Sequence, residues 1–461
     1  MKTTVATVSL LTLLAAACKL SAAPPEAAAD FAIAQHLAAA AQTEAAAQEA
    51  AELVRSLSLV AGPRLAGSAG DARAVAWAEA KLRELGFENV RSEPVTVPHW
   101  ERGVESGEIL APYPQPLHLT ALGGSVATPP GGLVAEVLRV ASLDELLALP
   151  GDAARGRIVF VDRVMERKRD GSGYGPVVAA RGRGASEAAK RGAVGFVMRS
   201  AGTGNHRFPH TGAMRYEEGV PKIPAAALAV PDADLLAGQI ALGQPVTMRL
   251  TLESRWLPDA TSANVIGEIR GRERPEEIVL LGAHLDSWDL GTGAIDDGAG
   301  VAIVISAARR IAALPERPRR TVRVVLFANE EFGLSGGREY ARTHAAELDR
   351  HVLATEADFG DGKVWRFASK VAPEALPKMD RLAKLLAPLG IEPAGNTADG
   401  GADLGPLTAG RVPLVDLSQD GTTYFDYHHT ADDTFDKIDP ASLAQNVAAY
   451  AVTAWFAAED P

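Results

Sequence analysis

Residues 278–298 read IVLLGAHLDSWDLGTGAIDDG, and this stretch decides the fold. Its opening run, Ile278-Val-Leu-Leu281, is continuously apolar, the mark of a strand covered on both faces. His284 and Asp286 follow directly. Residues two apart in an extended chain point the same way, so imidazole and carboxylate share one side. Asp296-Asp297-Gly298 then opens a helix predicted to reach Leu314, and Thr321 to Ala328 is a second buried strand. Val412 to Leu417 supplies a later strand, and Ala441 to Ala457 a closing helix. Strands alternating with helices imply α/β architecture, here a three-layer sandwich with a largely parallel central sheet. Ligands in such folds gather at the carboxyl ends of the strands.

Upstream, the alanine-rich segment after Pro24-Pro25, reaching to about Ser58, reads as helix, with good formers and no internal proline or glycine. A second helix, Asp71 to Leu85, stops at Gly86, and Val90 to Val97 alternates as a half-buried strand does. From Gln115 to Trp256 the texture changes. Short strands are expected at Arg157–Val161, Gly192–Met198 and Ile223–Ala227, with a helix over Ala185–Arg191. This part resembles the protease-associated domain, a small α/β insertion. The expected division is a leader over 1–23, a catalytic domain from 24–114 and 257–461, and an insertion over 115–256.

The chain has 461 residues and a formal net charge of -12, which disfavours a nucleic-acid binder. Lys2 followed by the apolar stretch Val5 to Ala17 reads as a secretory signal, so an exported protein, secreted or periplasmic, is expected. Cys18, the single cysteine, closes that stretch. It reads either as the lipid anchor of a bacterial lipoprotein or as part of a discarded leader. In both cases the mature body has no disulfide and no thiol nucleophile.

The carboxylates and histidines lie where strands end. Asn329-Glu330-Glu331 follows the strand of Thr321 to Ala328, and Glu356-Ala-Asp358 follows another apolar stretch. His428-His429 stands in an aromatic loop with Tyr424, Phe425 and Tyr427, ahead of Asp433-Thr434. Adjacent glutamates at the end of a buried strand repel each other unless a cation is near. Two histidines among carboxylates form a mixed N/O set suited to zinc. Gly333-Leu-Ser335-Gly-Gly337 fits a serine-hydrolase pattern, with His429 available downstream, but a nucleophile elbow should follow its strand at once. Gly291-Thr-Gly293 lacks the third glycine of a dinucleotide loop, since Asp296 stands there.

Four segments carry a resemblance: Val97-Pro-His-Trp-Glu-Arg-Gly103, His284-Leu-Asp-Ser-Trp-Asp289, Asp296-Asp297-Gly298 and His428-His429. From about Gly62 to the last helix the chain resembles the co-catalytic two-zinc exopeptidases, in particular the plasma glutamate carboxypeptidase (carboxypeptidase Q) group. The resemblance implies two zinc ions per chain. His284 and Asp358 would hold one, Glu331 and His429 the other, and Asp296 would bridge them across a cis Asp296–Asp297 bond. Asp286 would orient His284, and Glu330 would act as general base in hydrolysing dipeptides or short peptides. A homodimer is the expected assembly. Rival readings are an aminopeptidase acting on longer peptides, a one-zinc glutaminyl cyclase, a Ser335-dependent hydrolase and a non-catalytic peptide-binding surface protein. The insertion is expected to wall the substrate pocket, with His206, His210 and Arg215 on its loop. Arg215 and Lys222 are candidates to meet a substrate carboxylate.

Overall fold

The computed structural model describes residues 25–410 and 412–460; the leader and Cys18 lie outside these. An eight-stranded sheet forms the centre of the larger part. Strands Arg274–His284, Arg320–Phe327, His351–Glu356 and Leu414–Gln419 run parallel to their partners at its middle. Glu88–Glu101 and Arg255–Ile269 add antiparallel strands at one edge, and Val364–Lys370 adds another beyond Leu414–Gln419. The sheet is thus mixed: parallel at its middle, with antiparallel strands added on both sides and the short strand Glu392–Pro393 pairing parallel at one edge.

The unbroken apolar runs have the expected cause. Val279 and Leu281 pack into one core with helices Ala299–Ala312 and Pro440–Glu459, whereas Ile278 and Leu280 pack into another with Tyr340, Leu404 and Leu407. Successive side chains point to opposite faces, and here both faces are covered. The alanine-rich segment splits into helices Pro25–Ala41 and Glu44–Val60. Thr43 causes the break, its hydroxyl accepting from Ala46 N at 3.2 Å as an N-cap.

A second eight-stranded sheet occupies the insertion. It starts earlier than the change of texture at Gln115, because Glu105–Ala111 already pairs antiparallel with Thr247–Leu252, the last strand of this sheet. That pairing joins the two ends of the inserted chain. The helix expected over Ala185–Arg191 is longer and starts earlier, spanning Gly175–Ala189. Tyr174, just before it, stacks on Phe425 with ring centroids 4.7 Å apart.

Candidate metal centre

His284 is the last residue of its strand, and its backbone N–H donates to Asp297 Oδ2 at 3.1 Å. Its Nδ1 lies 3.1 Å from the carbonyl oxygen of Asp286 and 3.6 Å from the Asp286 carboxylate. The carbonyl is the nearer partner, so it fixes the ring with Nε2 turned toward Asp296 and Asp358. Asp286 Oδ1 instead accepts from the backbone N–H of Glu330 at 3.0 Å, tying one strand end to the next.

Asp296 stands at the centre. Its Oδ1 is 3.0 Å from His284 Nε2, and its Oδ2 is 3.3 Å from His429 Nε2. Asp358 Oδ1 lies 3.3 Å from His284 Nε2, and Glu331 Oε2 lies 3.0 Å from His429 Nε2. Two groups, each an imidazole with a carboxylate, therefore share one aspartate. His428 is close as well, its Nε2 3.5 Å from Asp296 Oδ2 and its ring stacked on His429 at 3.5 Å between centroids. Glu331 is the nearer donor to His429, and its Oε1 is buried with no hydrogen-bond partner among the described residues. The Asp296–Asp297 peptide bond is cis.

The charges of the centre do not balance on their own. Burial, reinforced by the charge of Asp358, pushes Glu330 well above the usual carboxylate range. Burial likewise raises Glu331 and Asp358, and with Asp358 and Glu330 as neighbours it raises Glu356. For the imidazoles burial acts downward, but Asp358 holds His284 and Glu331 holds His429 well above normal. So many buried carboxylates on two imidazoles require cations. A mixed N/O set with an unpartnered Glu331 oxygen fits divalent zinc.

Several residues outside the donor set shape this centre. Arg64 is fully buried behind it and donates to the carbonyl oxygens of Leu285 (2.6 Å), Thr292 (2.5 Å) and Gly293 (2.8 Å). Asp433 accepts from the backbone N–H groups of Ile295 (2.6 Å) and Asp296 (3.2 Å), which fixes the turn bearing the shared aspartate. Burial brings Asp433 up to about 7. Arg102 grips Asp289 through Nε at 2.9 Å and Nη2 at 2.6 Å, and its Nη2 also reaches Thr211 Oγ1 at 3.2 Å. The Thr211 carbonyl in turn faces His429 Nδ1 at 3.2 Å. The insertion thereby orients His429, an arrangement typical of histidines that bind metal.

A cavity of about 390 Å³ opens over these groups. Glu330, Glu331, Asp296, Asp358, His428 and His429 line it on one side, and Tyr174, Arg181 and Arg215 of the insertion on the other. Of the loop residues expected in the wall, Arg215 reaches the cavity. His210 is buried with its Nδ1 at 2.7 Å from the His428 carbonyl, and His206 stacks on Tyr427. Lys222 lies over the Tyr216 ring instead. Ser335 Oγ accepts from Asn329 Nδ2 at 2.7 Å and begins the helix Ser335–Thr343, and among the described residues no histidine hydrogen-bonds to it. Gly336 packs so tightly on Asn264 and Ala328 that no side chain would fit there.

The family model of peptidase family M28 matches residues 264–454. Carboxypeptidase Q from Mus musculus is 37% identical over 398 residues, covering 86% of this chain and 83% of the relative. A solved peptidase M28 precursor from Shewanella amazonensis SB2B superposes with a TM-score of 0.92 at 50% identity, covering 94% of this chain and 98% of that one. A zinc aminopeptidase from Bacillus subtilis shares the fold at a TM-score of 0.65 and 21% identity, covering 90% and 95%. The chain belongs to peptidase family M28.

Proposed function

We propose that this peptidase hydrolyses dipeptides or short peptides at two zinc ions per chain, with Glu330 as general base. The observation that carries the reading is the shared aspartate: Asp296 presents one oxygen to His284 and the other to His429. His284 and Asp358 would hold one ion, Glu331 and His429 the other, with Asp296 between them. We assign Glu331 rather than His428 to the second ion because Glu331 is nearer to His429 than His428 is to Asp296. A bound zinc pair supplies Lewis-acid polarisation and makes water at the site more acidic. Glu330, on the cavity wall and outside both donor groups, takes the proton of the attacking water and passes it to the leaving amine. Its raised affinity for a proton, caused first by burial and then by Asp358, suits that exchange. Asp286 acts through its neighbours: its carbonyl orients His284 and its carboxylate positions the Glu330 backbone.

The insertion is read as a protease-associated domain serving as the cavity roof, because Tyr174, Arg181 and Arg215 all reach the cavity from it. Among the described residues no helix is long and apolar enough to cross a membrane. Export as a secreted or periplasmic protein, with Cys18 either lipidated or removed with the leader, belongs to this reading, as does a homodimer. Metal analysis should find two zinc ions per chain, and chelation should abolish dipeptide hydrolysis, with zinc restoring it. Full turnover by metal-free protein would refute the proposal. Zinc aminopeptidases share this fold, so release of single residues from the amino end of longer peptides is the second reading.

A further inference from the structure

Arg181 and Arg215 are cations at the mouth of the cavity with no acidic partner among the described residues. Arg181 sits two turns into the helix Gly175–Ala189, its Nη1 donating to the Tyr174 hydroxyl at 2.5 Å. Its Nε is buried and has no hydrogen-bond partner. The Nε/Nη2 edge of a guanidinium is the one Arg102 uses to grip Asp289 in this same molecule. In Arg181 that edge carries no partner among the described residues. The space for it is built in: Gly212, at φ +136°, lies so close that a Cβ there would run into the Arg181 guanidinium. Arg215 comes from the loop beyond, and its backbone N–H donates to Gly182 O at 3.0 Å, which locks the two segments together. Its Nη2 reaches across to within 3.5 Å of where a Cβ would stand on Gly333, in the loop that carries Glu330 and Glu331.

A buried guanidinium edge left unpaired is costly, and a planar carboxylate is the partner its geometry fits best. We infer that Arg181, with Arg215 beside it, binds the free C-terminal carboxylate of the substrate and makes this enzyme selective for peptides whose carboxyl end lies next to the bond cut. The inference rests on the metallopeptidase reading above and adds the end of the substrate that is recognised. It also separates the two readings given there, because an aminopeptidase for long peptides has no use for a carboxylate clamp beside the metal centre. Tyr174 holds Arg181 in register, and Gly212 admits its head group.

The test uses the zinc-loaded full chain and three substrates: a free dipeptide, its C-terminal amide and its N-acetyl form. Wild type should cleave the free dipeptide roughly 10²–10³-fold more efficiently than the amide, the range for losing one partner of a desolvated charge pair. Arg181→Gln and Arg215→Gln should raise KM for the free dipeptide with little change in kcat and should collapse the preference over the amide. Arg181→Lys should recover only part of the preference, since a point charge cannot make the bidentate contact. Calorimetric binding of a reduced-amide dipeptide, which cannot be hydrolysed, should weaken in the same variants. Arg215 is exposed, so its variant tests the idea even if the Arg181 variants fold poorly. Equal cleavage of free dipeptide and amide by wild type would overturn the inference and leave the metallopeptidase standing. Equal losses on both substrates in the variants would also overturn it. Carboxylate-dependent binding without any hydrolysis would keep the clamp and refute the peptidase reading, and absence of both would refute the two together.

Discussion

Adjacent glutamates with different tasks give the sharpest test of this site. Glu331 places Oε2 at 3.0 Å from His429 Nε2, inside a donor group, whereas no hydrogen bond reaches the Glu330 carboxylate among the described residues. Glu330→Gln keeps size and backbone contacts, including the Glu330 N–H to Asp286 bond, and removes only the ability to take a proton. General acid–base groups contribute roughly 10²–10⁴ in rate, so kcat should fall by about 3–5 kcal/mol worth of barrier at about 1.36 kcal/mol per tenfold. Zinc content should stay near two per chain. The metal-free variant should gain stability over metal-free wild type at neutral pH, by a sign that follows from the direction of the shift. Burial raises the folded-state affinity of Glu330 for protons, so above that range the ionised group opposes folding, and an amide removes the opposition. Glu331→Gln should instead lose metal. Residues that merely support a ligand cost 10–100-fold in metal affinity, so a direct donor should cost at least roughly 100-fold. Steady-state kinetics, metal analysis of dialysed protein and urea unfolding together read all three quantities. If Glu330→Gln releases zinc and Glu331→Gln retains it while losing turnover, base and ligand have been assigned the wrong way round.

Two further outcomes follow from groups outside the donor set. Arg102→Ala leaves the Asp289 carboxylate without its bidentate partner and frees Thr211 from the insertion contact, so unfolding free energy should drop by about 3–5 kcal/mol; a loss below 1 kcal/mol in urea titrations would show that the tie is not structural. His351, at the opposite end of its strand from the metal centre, donates from Nδ1 to Glu347 O and accepts the Tyr340 hydroxyl at Nε2, and burial lowers it to about 4. Its folded value lies below the unfolded one, so the stability it contributes is complete above about pH 6.5 and disappears as pH falls toward 4. The window is worth about 3 kcal/mol, and His351→Gln should flatten that part of the stability–pH curve relative to wild type; parallel curves would refute the assignment.

The chain's own order made the chemistry readable wherever the relevant residues are neighbours in sequence. His284, Asp286 and Asp296 stand at or after the end of one buried strand, Glu330 and Glu331 follow the next, and an apolar run of that kind is the mark of a strand covered on both faces. The pattern repeats locally, so a linear reading finds it. What lay beyond that reading are contacts between distant segments, which no local period encodes. Arg64 reaches the carbonyl of Gly293 across 229 positions, and Thr211 meets His429 across 218. The second sheet takes in Glu105–Ala111 because that strand pairs with Thr247–Leu252, and the sequence around Glu105 shows no change of texture to mark it. Asp286 was legible as a partner of His284, but which of its oxygens faces the imidazole depended on where the Glu330 backbone came to rest. Arg181 was silent for the same reason: a lysine- or arginine-bearing helix is ordinary in sequence. Only the folded chain shows that the Arg181 Nε is buried at the cavity mouth with no hydrogen-bond partner among the described residues.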